Sequence, residues 1–239
     1  MPKPDQSADL FEIMYSCRAM RRFKPDPIPE AVIEQLIDAA IQCPSGSNAQ
    51  NWKFVVVRDR DKLTEIQKLW KTSWAFYGET VNAVLRPGED PAAKARQSKA
   101  GTYMVDHMHE VPALIFVCAK RDDVLAEAFA SPSTLMAAIR HFGLGGALNL
   151  ITSGSKTSIQ AAGGAAFPAV QNLLLAARAL GLGAVLTTPH LFQPGAYEKI
   201  VGIPAEATLC AVIPVGYPLG KFGPIRRPPA QDAMSWDTY

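Results

Sequence analysis

The run ALIFVC at residues 113–118 constrains the fold more than any other stretch of the chain. It is short, continuously apolar and without alternation, which is the pattern of a strand covered on both faces in the middle of a sheet. A strand of that kind needs a layer of helices on each side. FVVV at 54–57 and the apolar run at 209–215 read as further strands, and GLGAVLTT at 181–188 as a turn and a strand. With helical segments between them, this order suggests a mixed sheet covered by helices, an α+β or α/β sandwich.

The helical segments follow from apolar spacing and punctuation. Ser7 or Asp9 can cap a first helix whose Leu10, Ile13, Met14 and Cys17 share a face expected to pack on the core. Pro29 suits the first turn of a second helix, with Val32, Ile33, Leu36, Ile37 and Ala40 at helical spacing. Asp59 or Asp61 opens a third through Leu63, Ile66, Leu69 and Trp70, and the pattern weakens beyond Trp74. Residues 86–91 form a turn or loop, and 92–110 can be helical without a clear stripe. Residues 131–164 contain a candidate helix at 134–142 and then a Gly/Ser/Ala-rich stretch, expected as a lid or pocket insertion or else as a plain surface insertion. Pro168 is expected to start a helix that stops at Gly181, and 194–201 to form a short one. The tail, 217–239, is broken by Pro224, Pro228 and Pro229 and has too few apolar residues to fold alone. No repeat or composition shift marks a linker, so residues 1–239 are expected to form one domain.

Composition narrows the partners. A 239-residue chain that is 48% hydrophobic suits one sizeable core. A formal charge of +2 with only 19% charged residues leaves no general polyanion-binding surface, so nucleic acid is not an expected partner. Cys17, Cys43, Cys118 and Cys210 show no CxxC spacing and no histidine pair suited to zinc, so no metal site or redox pair is expected. The start of the chain lacks the apolar run of a signal peptide, and no segment approaches the roughly 20 apolar residues that cross a bilayer. The expected compartment is the cytoplasm, with no membrane partner.

Two features carry chemistry. In CPSGSNAQNW, residues 43–52, Pro44 stops the preceding helix, and Ser45, Gly46, Ser47, Asn48 and Gln50 offer backbone N–H groups and side-chain amides to a planar, hydrogen-bonding ligand. Basic residues gather in two foci: Arg18, Arg21, Arg22 and Lys24 on a proline-stiffened connector, and Lys221, Arg226 and Arg227 in the tail. The foci either converge on a phosphate or stand as two solvated patches.

Taken together, RAMRRF at 18–23, PSGSNAQNWKFVVV at 44–57, NLLLAARALGLG at 172–183, IPVGYP at 213–218 and RRP at 226–228 closely resemble the FMN-dependent nitroreductase family over nearly the whole chain. The resemblance implies a three-layer α/β/α sandwich, of α+β class, with a central mixed, mainly antiparallel sheet. It also implies a homodimer with FMN in clefts built by both subunits and a tail wrapping the partner. Arg18, with Arg21 or Arg22, would hold the phosphate from the connector beside Ala19, and Arg226 or Arg227 would approach from the tail. The loop Pro44, Ser45, Gly46, Asn48 and Gln50 would reach the ribityl chain and flavin edge across the interface. Thr187 and Thr188 fall where the family presents backbone N–H groups to N5 and O4. Phe142, His190 and Phe192 are candidates for substrate contact, with core or surface placement as the alternative. The chain departs from the family at Cys17 and Ala19, where many members carry arginine and serine, at Asn51, where many carry proline, and at Pro189, which has no amide hydrogen.

The implied activity is that of an FMN oxidoreductase. It takes hydride from NADH or NADPH through flavin N5 and passes it, in a ping-pong cycle, to nitroaromatics, quinones or related electrophiles. No catalytic side chain is nominated, because the flavin carries the chemistry. The alternatives are reductive dehalogenation or flavin breakdown in the same fold, or a flavin-binding sensor without turnover.

Overall fold

The computed structural model of the chain describes residues 10–120, 127, 131–152 and 154–239. The strand β2 (Ala113–Lys120) is buried along all but its last residue, as its sequence requires. It pairs antiparallel with β1 (Trp52–Val57) on one side and on the other with β4 (Ala207–Gly216), against which the two-residue β3 (Gly183–Ala184) also runs antiparallel. The sheet order is β1-β2-β4-β3. Among the described residues every ladder is antiparallel, so no parallel pair of the expected mixed sheet is seen.

Alternation along β2 sorts the core into two layers. Ala113, Ile115, Val117 and Ala119, with Ala211 and Ile213, face Leu36 and Ala40 of α2 (Glu30–Ala40) and Leu173 and Ala177 of α6 (Gly154–Ala179). Leu114, Phe116 and Cys118 face the opposite way, toward Leu63, Ile66 and Trp70 of α3 (Arg60–Glu79), Met104 of α4 (Pro91–Asp106) and Tyr197 of α7 (Ala196–Val201). The expected α/β/α sandwich is therefore present. Each fully buried Leu or Ile in it contributes about 1.5–3 kcal/mol of transfer free energy.

Local chemistry sets the ends of these helices. Asp59, not Asp61, caps α3, its Oδ1 accepting the N–H groups of Asp61 and Lys62 at 3.0 Å each. Beyond Trp74, where the apolar period fades, α3 continues to Glu79, and ring contacts replace core burial there: Trp74 stacks on Tyr77, and Phe76 meets Phe192. Helix α6 ends with Leu182 N–H donating to Ala177 O at 2.8 Å and Gly181, at φ 73°, donating to Arg178 O at 3.1 Å. That is a Schellman closure.

Three expectations change. The short helix α1 (Leu10–Ser16) buries only Ile13, while Leu10 and Met14 are exposed, so its apolar face does not sink into the core. The proposed caps Ser7 and Asp9 lie outside the described residues. The 131–164 stretch is largely helical: α5 (Pro132–Thr152) bends at Gly143, where φ is 70° and ψ 175°, and α6 begins at Gly154, residue 153 lying outside the description. Pro168 sits inside α6 instead of opening it. A proline there leaves the carbonyl four residues earlier without its donor, and that residue is the exposed Gly164, whose carbonyl water can reach.

The tail lies along the basic connector. Lys24 N–H donates to Tyr217 O at 2.8 Å, Leu219 N–H to Arg22 O at 3.0 Å and Ile225 N–H to Tyr15 O at 3.1 Å, with Phe23 bridged to Pro218. Residues 15–24 and 217–225 thus form an antiparallel strap. No helix among the described residues is long and apolar enough to cross a membrane.

Candidate functional site

The strap hangs on the sheet through Met20 N–H, which donates to Ala184 O at 3.1 Å. Close approach there requires glycine. A Cβ on Gly183 would lie 2.9 Å from Met20 Cβ, and one on Gly216 would lie 3.0 Å from Phe23 Cβ. These contacts place the strap against β3, from which the chain runs on into the segment 185–192.

The arginines differ in what they touch. Arg22 lies over the Tyr103 ring at 4.6 Å from its centre, a cation–π contact on an exposed surface. Arg21 lines a small pocket with Phe23, Tyr103, Met104, His107 and Glu110. Burial, and then the neighbouring Arg18, push its guanidinium below the ordinary value, and Tyr77 pulls the other way. Arg18 reaches the tail, its Nη1 standing 4.0 Å from where a Gly223 Cβ would be. Arg226 and Arg227 follow directly on Ile225, which is tied to Tyr15, and both are exposed. Among the described residues none of these five arginines is paired with a carboxylate. The two foci, which the sequence left either convergent or apart, are thus carried by the strap and the residues that directly follow it, with an excess of positive charge.

The neighbouring segment corrects the expected donors. Thr187 N–H donates to Val212 O at 3.2 Å, its hydroxyl also donates to Val212 O, and Val212 N–H donates back to Thr187 O at 3.0 Å. That amide is therefore committed to the sheet. Thr188 N–H has no backbone partner among the described residues, so it is the donor that remains, beside the exposed Leu186. Ser73 Oγ donates to Pro189 O at 3.3 Å, and Gln193 Nε2 donates to Ser73 Oγ and to Leu69 O, so the turn Pro189–Phe192 is clamped to α3. His190 is only 4% exposed, so its ring is buried and not displayed. Neither ring nitrogen has a partner of normal geometry; burial pushes its pKa down, while Glu198 and the Leu209 backbone pull it up. Phe192 is exposed and meets Phe76 and Tyr77, whereas Phe142 lines a separate open groove with Gly146, Asn149 and Leu150.

The 44–50 loop stands elsewhere. It wraps a 3-10 turn (Gly46–Asn48) in which Ser45 Oγ accepts Gln50 N–H at 3.1 Å. Ser47, Asn48 and Gln50 hold φ of 52°, 53° and 48°, a left-handed conformation that costs non-glycine residues roughly 1–3 kcal/mol each. Pro44, Gly46, Asn48 and Gln50 are exposed. Asn51 fixes the loop to the end of β2 through Nδ2 to Lys120 O at 3.0 Å. Lys120 is opposite Ala207, the first residue of β4, while the strap hangs at Gly183, opposite Gly216, the last. The loop and the arginines are therefore separated by the length of β4, about 30 Å at the usual rise per residue.

Two neighbours of the site were not found from sequence. Tyr77 appeared only as part of a fading helical period, yet it lies beside Arg21 and Phe192. Arg178 donates from Nε to Ser16 Oγ at 2.9 Å and packs on Phe222. It lay within the stretch 172–183 that carries the family resemblance, but as a lone cation in the last turn of an apolar helix it was given no role.

Guanidinium groups without a carboxylate partner among the described residues suit a phosphate, and the Thr188 amide near the exposed Leu186 suits the edge of a planar ring. Fold and site together define a three-layer sandwich with a cationic strap at one end of its sheet. Residues 15–217 match the model of the Nitroreductase family, and the chain belongs to that family. It is 26% identical over 230 residues to an NADH dehydrogenase of Thermus thermophilus, covering 92% of this chain and 91% of that protein. It is 27% identical over 209 residues to an iodotyrosine deiodinase of Thermotoga neapolitana, covering 87% and 88%. A crystal structure of oxidized iodotyrosine deiodinase bound to FMN and 3-iodo-L-tyrosine shares the fold, with a TM-score of 0.65 at 23% identity over 96% of this chain and 100% of that one.

Proposed function

We propose that the chain is an FMN-dependent oxidoreductase, drawing electrons from NADH or NADPH and working as a homodimer. The observation that carries this reading is the set of arginines on and just beyond the strap that have no carboxylate partner among the described residues, on the β3 side of the sheet that leads on to Thr188, in a member of the Nitroreductase family. Bound FMN would supply two-electron chemistry, taking hydride from the nicotinamide and delivering it to an electrophile. Arg18 and Arg21 hold the phosphate, aided by Arg226 or Arg227, and each charge-assisted contact is worth on the order of 1.5–3 kcal/mol. Thr188 N–H donates to the ring edge where negative charge gathers on reduction, and Leu186 gives the ring an apolar bed. The strained loop cannot reach the strap of its own chain. A second copy, supplying Ser45, Asn48 and Gln50 across an interface, completes the site.

Two electron acceptors merit equal trial. Nitroaromatics and quinones suit a nitroreductase-type enzyme, and the relatives named iodotyrosine deiodinase favour a halogenated aromatic equally well. Purified protein should be yellow, carry one FMN per chain, elute as a dimer and bleach anaerobically with NADH or NADPH. A panel of nitroaromatic, quinone and halotyrosine acceptors then separates the two chemistries. Protein that takes up no flavin, or holds FMN that NAD(P)H never bleaches, would refute the assignment, and bleaching without turnover of any acceptor would favour a sensor.

A further inference from the structure

The arginines of the strap do not complete the positive charge at this end of the sheet. Arg178 brings another guanidinium from the last turn of α6, 156 residues beyond Arg22. Three contacts hold it at the root of the strap: Nε donates to Ser16 Oγ at 2.9 Å, the guanidinium carbon lies 4.3 Å over the Phe222 ring, and Nη2 stands 4.0 Å from Glu12 Oε1. Glu12 is the one carboxylate in reach among the described residues and is largely exposed, so it offsets little of this charge. Cys17 adds no cation of its own, its thiol donating to Leu174 O at 3.5 Å.

On its two flanks Arg178 touches the segments that carry the other cations. Ser16 precedes Arg18 by two residues, and Phe222 adjoins Gly223, against which Arg18 rests. A guanidinium has five N–H donors, and the Ser16 bond uses one. The cation–π contact with Phe222 and the Ser16 bond hold the fork in place, which limits the entropy lost when the remaining donors bind.

From this we infer that Arg178 is an anion-binding residue that holds the terminal phosphate of the flavin ligand together with Arg18, taking the charge that position 17 does not provide. The inference rests on the flavin reading above. It gives the phosphate a ligand on the helical layer as well as on the strap, and it makes discrimination between FMN and riboflavin depend on Arg178.

The test is titration of full-length apoprotein with FMN and with riboflavin, which lacks the phosphate, for the native chain, Arg178→Gln and Arg178→Lys. Far-ultraviolet circular dichroism checks the fold of each. Loss of one charge-assisted contact should weaken FMN binding by about ten- to a hundredfold in Arg178→Gln, leave riboflavin affinity within about twofold, and flatten the dependence of FMN binding on salt. Arg178→Lys should recover most of the loss, because the charge returns. Equal weakening of both ligands, or no change in either, makes Arg178 a structural clamp and overturns the inference while leaving the flavin reading intact. A native chain that binds neither ligand removes both.

Discussion

Replacing Gly183 by alanine tests whether the site is built by close packing of the strap on β3. The new methyl would stand 2.9 Å from Met20 Cβ and 3.3 Å from Phe23 Cε1, the first short of ordinary contact by about half an ångström. Met20 cannot swing away, because the clash is with its Cβ and its N–H is bonded to Ala184 O. Overpacking of this kind costs about 1–3 kcal/mol, and the reduced entropy of the unfolded chain returns about 0.4–1 kcal/mol. The balance is a loss of up to about 2.6 kcal/mol, centred at roughly 1.3, in urea unfolding, accompanied by weaker FMN binding as residues 18–22 are pushed outward. Gly164→Ala is the control: it lies in α6 with nothing within 4 Å of the added carbon, so it should stabilise by about 0.5–1 kcal/mol and leave FMN affinity unchanged. A Gly183→Ala protein as stable as the native chain, with undiminished FMN affinity, would refute the packing argument.

Other expectations can be checked with the same protein. Asp59→Ala removes the acceptor for two amides at the start of α3 and should cost about 0.5–2 kcal/mol in urea unfolding, with Asp59→Ser recovering most of it. His190 is buried neutral, its pKa lowered chiefly by burial, so below about pH 6.5 the unfolded chain binds a proton that the native one resists. Stability should therefore fall as pH drops from 6.5 toward 5, and His190→Leu should flatten that limb of the unfolding curve. Burial, with Cys210 and Glu198 nearby, pushes the Cys118 thiol up to about 12. Mass spectrometry after brief alkylation of native protein at pH 8 should find the partly exposed Cys17 modified first and Cys118 last. Equal rates at the two would contradict the burial of β2.

Much of the sandwich was legible because its signals are local. The unbroken apolar run of β2, the stripe of α2, the cap before α3 and the glycine after α6 each act within one or two turns of chain. Of the 131–164 stretch only the helix near 134–142 was legible, for the converse reason. Beyond it, alanine, glycine and serine leave little apolar period, so the helical continuation past 142 is invisible to a pattern built on large side chains. Pro168 misled because proline normally opens a helix, whereas here it follows an exposed glycine that tolerates the missing bond. At the site, the types of residue were legible and their availability was not. Thr187 looked like a ring-edge donor until its amide was found on Val212, and His190, open between substrate contact and core placement, proved to be buried.

By itself the sequence determined that a doubly covered strand would sit between helical layers, that basic residues would occupy a stiff connector and the tail, and that a polar loop would interrupt two rigid elements. Tertiary structure alone decided that the connector and the tail pair as one strap, that Arg178 joins them from across the chain, and that the loop lies at the far end of the sheet. The physical reason is range. Periodicity and capping depend on neighbours along the chain, whereas the meeting of residues 16, 178 and 222 depends on strand order, register and glycine-permitted contact, which no local segment encodes.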